Sequence, residues 1–158
     1  MPLALSPASV SALRNRVANG NFAIGTISTA SATVFSAGAY MFGGWVAGSG
    51  GCTATWGSPA LDRIVTISAG SMVNATHAGV MEGGGYTLAW IGTAMGRING
   101  GAYSLSQLNL VLPQGVSASV EFAVGLGLIG TVGLVQLEPG LKRSAFERLP
   151  TAIETLRV

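Results

Sequence analysis

Apolar and polar residues alternate along much of the chain after position 19, which is the pattern of strands that bury one face. The alternation is clearest at 86–91, where Tyr86, Leu88 and Trp90 would share one face. Glycine-rich and Asn-Gly turns interrupt it at short intervals, and a loop is expected at 48–51. Many short strands with close turns predict an all-β sandwich. The strands are predicted at about 22–26, 33–35, 53–56, 64–68, 71–75, 86–91, 94–98, 108–112, 117–124 and 131–138.

The last of these strands contains the sequence LVQLEPG at 134–140, and it should be covered on both faces. Every second residue from Val132 to Glu138 would share one face, and both faces are partly apolar. Pro139 cannot donate a backbone hydrogen bond and Gly140 tolerates a positive φ, so this pair favours a turn. The strand is therefore expected to end there.

One helix is predicted near the start of the chain, at residues 7–17. Pro7 suits the first helical position after a serine N-cap, and apolar residues then recur at near-helical spacing. The chain is accordingly divided into a helical anchor segment at 1–18, a β-sandwich domain at 19–150, and a C-terminal arm or helical turn at 151–158.

Charged residues are scarce, at 9% of the chain, and the mean hydropathy is +0.53 with 24 glycines. This number of charges is too small to solvate the surface of an ordinary small monomer. We therefore expect a homo-oligomer or a part of a larger assembly. The net charge of +2 comes from eight scattered cations with no basic cluster, which disfavours nucleic-acid binding. No sustained apolar run of about 18 residues occurs, which disfavours insertion into a membrane.

Residues that could hold a metal or a cofactor are isolated along the chain. His77 and Cys52 are each the only residue of their type, so neither has a partner of its kind for a metal site. The glycines at 125–130 match a dinucleotide-binding pattern, but a strand rather than a helix is predicted after them. We therefore predict no cofactor and no metal site.

The carboxylates are also scattered, and no pair is singled out for glycoside hydrolysis. The candidates are Asp62, Glu82, Glu121, Glu138 and Glu147. Glu138 and Glu147 are expected to serve the fold, with Arg143 and Arg148 close enough in sequence to pair with them. The prediction is that the chain has no catalytic residues and is not an enzyme.

Tryptophan side chains are the remaining candidates for recognition, because sugar rings stack on exposed aromatic faces. Trp56 stands at a predicted strand end before Gly57, which favours exposure, and Trp45 is a second candidate for glycan binding. Trp90 alternates with Leu88 along a strand, so it is assigned to the core.

Four stretches of the chain form a recognisable set: NGNF at 19–22, YTLAWIGTAMGRING at 86–100, LVQLEPG at 134–140 and SAFERLP at 144–150. The set resembles the signature of the carbohydrate-binding-module-like β-sandwich domains found at the C-terminus of tailed-phage tail fibres. The resemblance covers residues 19–150, and its motifs are structural rather than catalytic. Its signature residues here are Asn19, Gly20, Phe22, Trp90, Gln136, Glu138, Gly140, Phe146, Glu147 and Arg148.

The chain departs from that pattern at one place. Gly43 and Gly44 stand where the family often has an Asp-Arg pair before the tryptophan that matches Trp45. The polar contact made by that pair is therefore missing here. The stretch at 144–150 is expected to close the sandwich as a strap over the last strand.

The resemblance implies a jelly-roll-like antiparallel sandwich that assembles as a trimer on the virion surface, after synthesis in the host cytoplasm. The function expected first is a non-enzymatic structural protein that contacts other virion proteins, as an appendage or as a capsid decoration. The alternative is a receptor-binding module for host surface glycans. A glycan-processing enzyme is the remaining and least favoured alternative.

Overall fold

The computed structural model describes residues 14–25, 32–57, 62–127 and 129–158. Strands dominate these ranges, and every strand pair is antiparallel. Within the described ranges, a turn of 3-10 helix spans Ala78–Val80 and an α-helix, α1, spans Thr151–Arg157. The strands are β1 Thr33–Phe35, β2 Tyr40–Phe42, β3 Trp45–Trp56, β4 Val65–Ala75, β5 Gly84–Ile91, β6 Met95–Ile98, β7 Gln107–Leu112, β8 Ser119–Ala123 and β9 Gly130–Pro139.

The strand order confirms the predicted all-β, sandwich-like architecture. The main path runs β1-β3-β4-β9-β5-β7, while β8 joins β4 and β6 joins β8. The first residues of β4 pair with β9 and its last five pair with β8, so two strands share one edge of β4. The layer of β3, β4, β8 and β6 therefore faces the layer of β9, β5 and β7. Trp90 of β5 packs edge-on against Phe122 of β8 at 5.1 Å between ring centroids, inside the sandwich.

β9 changes layers at a bulge. Its pairing with β5 shifts between Ile91↔Gly133 and Ala89↔Gln136, and Leu134 there has a φ of 45°. An inserted residue of this kind reverses the inward and outward alternation. The predicted shared face from Val132 to Glu138 is therefore wrong, although both faces are covered and the strand ends at Pro139 as predicted. The buried apolar residues are Val132 before the bulge and Val135 and Leu137 after it.

The core is rich in aromatic side chains, and β3 contributes two of them, Trp45 and Trp56, which the sequence had suggested as glycan-binding residues. β3 runs without a break through the glycines at 48–51, where a loop was expected, because a bulge between Ala47 and Cys52 absorbs them. Trp45 and Trp56 thus lie at the two ends of one twelve-residue strand.

The two ends of the described chain lie against β9. Residues 14–22, the N-terminal strap, are not helical, so the predicted helix at 7–17 is wrong at 14–17, and residues 7–13 lie outside the described ranges. Val17 and Phe22 of this strap are buried in the core, and Phe22 belongs to no strand, contrary to the strand predicted at 22–26. Residues 141–150 form the C-terminal strap, and α1 follows it, which selects the helical alternative for 151–158.

Candidate functional site

The outer face of β9, beneath the two straps, carries a buried polar network. Nε2 of Gln136 donates to Oε2 of Glu138 at 2.8 Å, and the backbone N and Oγ of Ser144 donate to the two oxygens of Glu138 at 2.6 Å. Nε of Arg14 lies 3.2 Å from the same carboxylate. A buried carboxylate with several donors and a cation is fully satisfied. Glu138 therefore anchors the C-terminal strap.

Glu147 joins the two straps to each other. Its Oε1 accepts a hydrogen bond from the backbone N of Asn15 at 2.8 Å, and its Oε2 accepts one from the backbone N of Arg14 at 3.0 Å. Its own backbone N donates to Oε1 of Gln136 at 2.7 Å. The signature residues Gln136, Glu138 and Glu147 thus form one cluster that holds residues 144–150 over β9, as the sequence predicts for a strap.

Asn19 fixes the other end of the N-terminal strap. Its side chain accepts from the backbone N of Ile24 at 2.9 Å and donates to the carbonyl oxygens of Ile24 and Gly43 at 2.6 and 3.0 Å. The backbone oxygen of Asn19 accepts from the indole N–H of Trp45 at 3.1 Å. The adjacent Gly20 accepts from the backbone N of Val135 at 2.8 Å. Asn19 and Gly20 therefore connect β9 to the start of β3.

α1 adds a second buried ion pair to this region. Glu154 accepts from the backbone N of Asn19, and its other oxygen lies 3.0 Å from Nη1 of Arg157. Arg157 also donates to the backbone oxygen of Asn15, and its own carbonyl oxygen lies 3.1 Å from Nε2 of His77. Burial lowers the pKa of Arg157, and the nearby Glu154 opposes that shift. His77 thus contributes to the docking of α1.

The expected pairing of Glu138 and Glu147 with Arg143 and Arg148 is wrong. Arg148 instead places Nη1 2.6 Å from Oδ1 of Asp62, and this bond lowers the pKa of the Asp62 carboxyl. The partners of Glu138 and Glu147 include Arg14, which is more than 120 positions away in sequence. Proximity in sequence could not identify such partners.

The remaining two carboxylates are also engaged. Glu82 pairs with the buried guanidinium of Arg16. Glu121 accepts from Ser71 Oγ at 2.5 Å and from Nε of Arg97 at 2.7 Å on the outer face of β4, β8 and β6. Over the described residues, each of the six carboxylates is therefore held by a donor or a cation of the same chain.

The two tryptophans predicted for glycan binding are buried. Trp45 is 0% exposed and Trp56 is 5% exposed, so neither ring presents a face to solvent. Trp56 stacks on Phe35 at 5.8 Å between centroids and also contacts Phe42. The exposure predicted for Trp56 is wrong, because the rings of Phe35 in β1 and Phe42 in β2 lie against it.

The other signature residues lie where they serve the fold. Trp90 is in the core, as predicted, and its indole N–H donates to the carbonyl oxygen of Ala94 at 2.9 Å. Gly140, after Pro139, has a φ of 104°, a conformation that favours glycine. Phe146 is half-buried, with the guanidinium of Arg148 5.8 Å from its ring centroid.

Phe146 forms part of an open groove between the C-terminal strap and the outer face of β5 and β9. The groove has a volume of about 370 Å³, and Leu134 and Arg143 also line it. It combines an aromatic ring, a guanidinium group and apolar side chains, which is a chemistry compatible with a small polar ligand.

A larger depression opens beside the glycine-rich turn at 125–130. It has a volume of about 680 Å³, and apolar side chains dominate its lining. Gly125 lies against the carbonyl of Thr93, where a Cβ would come within 2.2 Å, and a strand follows the turn as predicted. Leu126 is 84% exposed at the rim. The lining residues are Thr93, Leu105, Leu126, Gly127, Ile129 and Thr131.

Within the described ranges, no three His, Cys, Asp or Glu side chains are grouped closely enough to hold a metal ion. The one cysteine, Cys52, is buried, and burial raises the pKa of its thiol to about 11. No helix in this part of the chain has the length and apolar character needed to span a bilayer.

Comparisons with protein-family models, with curated proteins and with solved structures each gave no match for this chain.

Proposed function

We propose that this chain is a non-enzymatic structural protein of a tailed-phage virion, which works by assembling with copies of itself and with other virion proteins. The motifs at 19–22, 86–100, 134–140 and 144–150 support the phage assignment through their resemblance to tail-fibre domains. The same resemblance supports a trimer and a place on the virion surface.

The observation that carries the assembly role is the distribution of charge. The six carboxylates, which all lie in the described ranges, bind donors and cations of their own chain. Large apolar side chains remain at the surface, among them Val34 at 76% and Val111 at 75% exposure. Exposed apolar surface with few charges is typical of a subunit that is covered in its assembly.

A second candidate function is recognition of host surface glycans, and the groove at Phe146 favours it. The ring of Phe146 and the exposed guanidinium of Arg143 would supply stacking and hydrogen bonding to a sugar. The buried Trp45 and Trp56 play no part in this proposal.

Three measurements test these functions. Light scattering after size-exclusion chromatography at micromolar concentration should give an oligomeric mass, and gold-labelled antibody should bind intact phage particles. A monomer together with unlabelled particles would contradict the structural role. A glycan array should then compare the wild type with Phe146→Ala; glycan binding that Phe146→Ala abolishes would favour recognition over assembly alone.

A further inference from the structure

β7 is the last strand of its layer, and one of its edges is open among the described residues. The strand pairs with β5 along six positions, from Gly84↔Leu112 to Ala89↔Gln107. Its other edge pairs with no strand in the described part of the chain. An open strand edge offers unpaired backbone donors and acceptors to any strand that can approach it.

The hydrogen-bond pattern of β5 shows which groups face that edge. The backbone N of Gly140 donates to the oxygen of Gly85 at 2.8 Å, so Gly85 directs its polar groups toward β9. In an antiparallel sheet the direction alternates, so Tyr86 directs its groups toward β7, where it opposes Leu110. The backbone N–H and C=O groups of Asn109 and Val111 therefore point away from β5, into the open edge.

Each face of the sheet presents an exposed apolar side chain beside this edge, and the outward face also carries the uncharged side chains of Gln107 and Asn109. Leu110 faces the sandwich interior and is still 39% exposed, while Val111 points outward. Leu141 of the C-terminal strap lies over Gly85, the residue paired with Val111, and is 62% exposed. No charged residue occurs in the chain between Arg97 and Glu121. Natural open edges usually carry charges, prolines or bulges that prevent pairing, and β7 has none within it.

We propose that the open edge of β7 pairs with β7 of a second copy of this chain across a two-fold axis. This inference rests on the assembly function proposed above and identifies one of its contact surfaces. In the register that pairs Asn109 with Val111 of the second copy, the outward backbone donors and acceptors of Asn109 and Val111 are satisfied in both strands. The two Leu110 side chains then meet on the inner face.

A second copy fits this edge because the contact is self-complementary and brings no like charges together. β7 itself contains no charged residue, so the two paired strands would not repel each other. The contact joins copies in pairs. Combined with the three-fold contact that the phage resemblance implies, it gives a hexamer; without that contact, it gives a dimer.

Val111→Pro tests the contact without disturbing the bonds between β5 and β7. Proline removes the outward N–H and places its ring in the path of the second strand, whereas Leu110 and Leu112 keep the bonds to β5. Val111→Thr is the matched control, because it keeps both the N–H and the β-branched shape. Light scattering should show an even number of copies for wild type and Val111→Thr, and half that mass for Val111→Pro.

Near-ultraviolet circular dichroism of the packed tryptophans shows whether Val111→Pro has folded. A cross-link provides a test that does not depend on that variant. Leu110→Cys should form a disulfide dimer on oxidation, because Cα atoms of such opposed residues are roughly 4.5 Å apart. Leu156→Cys, on the exposed face of α1, should not.

A wild-type oligomer with an odd number of copies, or one whose mass is unchanged in folded Val111→Pro, overturns the β7 contact and leaves the assembly function standing. Absence of the Leu110→Cys cross-link in an oligomeric wild type counts against the contact in the same way. A wild-type monomer at micromolar concentration contradicts the β7 contact, and a monomer together with unlabelled particles contradicts the assembly function as well.

Discussion

Asn19 shows how a single side chain can organise a region that follows no strand pattern. Its φ of 54° lies in the left-handed region, which asparagine tolerates better than most residues. Its amide then makes three hydrogen bonds, to Ile24 and Gly43, while the residue is fully buried. The Asn-Gly pair predicts a turn from sequence, but the distant partner Gly43 leaves no local signal.

Asn19→Ala should lower the free energy of unfolding by about 3 kcal/mol, because it leaves several buried backbone groups without partners. Urea denaturation monitored by tryptophan fluorescence measures the change. Asn99→Ala is the matched control, since Asn99 has a similar φ of 51° but is exposed. Its cost should be about 1 kcal/mol or less. Equal losses for the two variants would show that the buried hydrogen bonds of Asn19 contribute little.

The bond between Asp62 and Arg148 makes a prediction about pH. The hydrogen bond from Arg148 holds the pKa of Asp62 below its ordinary value in the folded chain. The pair therefore stabilises the fold above the pKa that Asp62 has when unfolded, and this contribution is lost as the pH falls through the lower folded pKa. In an NMR titration of the carboxyl carbon, Arg148→Gln should raise the pKa of Asp62. An unchanged titration curve would exclude the pair as the cause.

At the scale of secondary-structure elements, the sequence predicted most of the strands, but it did not predict the bulges within them. Sequence patterns located β5 to β9, and the end of β9 followed from Pro139, but β4 was predicted as two strands, at 64–68 and 71–75, where the structure has one. The bulge at Leu134 left no sign, since leucine is a poor residue for a positive φ and only tertiary packing holds it there. At 48–51 the glycines led to the prediction of a loop, whereas the structure shows that β3 continues through them.

Gly20 tests the contact between the N-terminal strap and β9. A Cβ at this position would lie 2.0 Å from the carbonyl oxygen of Val135, so Gly20→Ala should push the strap away. We expect a loss of about 2 kcal/mol or more in the free energy of unfolding, measured by urea denaturation. Gly57→Ala, where a Cβ meets nothing within 4 Å, should change it by less than about 0.5 kcal/mol. A strap that tolerates Gly20→Ala as well as that control would not be tightly packed.

At the scale of the whole molecule, the sequence shows that charged residues are scarce, but it does not show which partners those residues bind. The four motif stretches were visible as a set, yet the bonds from Glu138 and Glu147 to Arg14 and Asn15 were not, because those residues are far away in sequence. The glycan candidates failed because the rings of Phe35 and Phe42 lie against Trp56, and the sequence around Trp56 does not reveal those contacts. The surface at β7 and the groove at Phe146 required the fold before they could be recognised.

Removing residues 151–158 should loosen the N-terminal strap rather than only the end of the chain. The deletion takes away Glu154 and Arg157, which bind the backbone of Asn19 and Asn15. Amide hydrogen exchange should therefore accelerate at 15–20, while the β3–β4 ladder stays protected. Leu156→Ala, a change on the exposed side of α1, should leave exchange at 15–20 unaltered. Unchanged protection at 15–20 in the deletion variant would contradict a role for α1 in holding the strap.

The pairing of the two straps has a consequence for synthesis of the chain. Several partners of residues 15–20 lie between 135 and 157, so they are translated more than 110 positions later. The N-terminal strap cannot dock on β9 until those later residues have left the ribosome. Contacts that are so distant in sequence slow folding and expose apolar surface in the meantime. The N-terminal strap therefore stays undocked until β9 and α1 have emerged, and the nascent chain needs protection from aggregation until then.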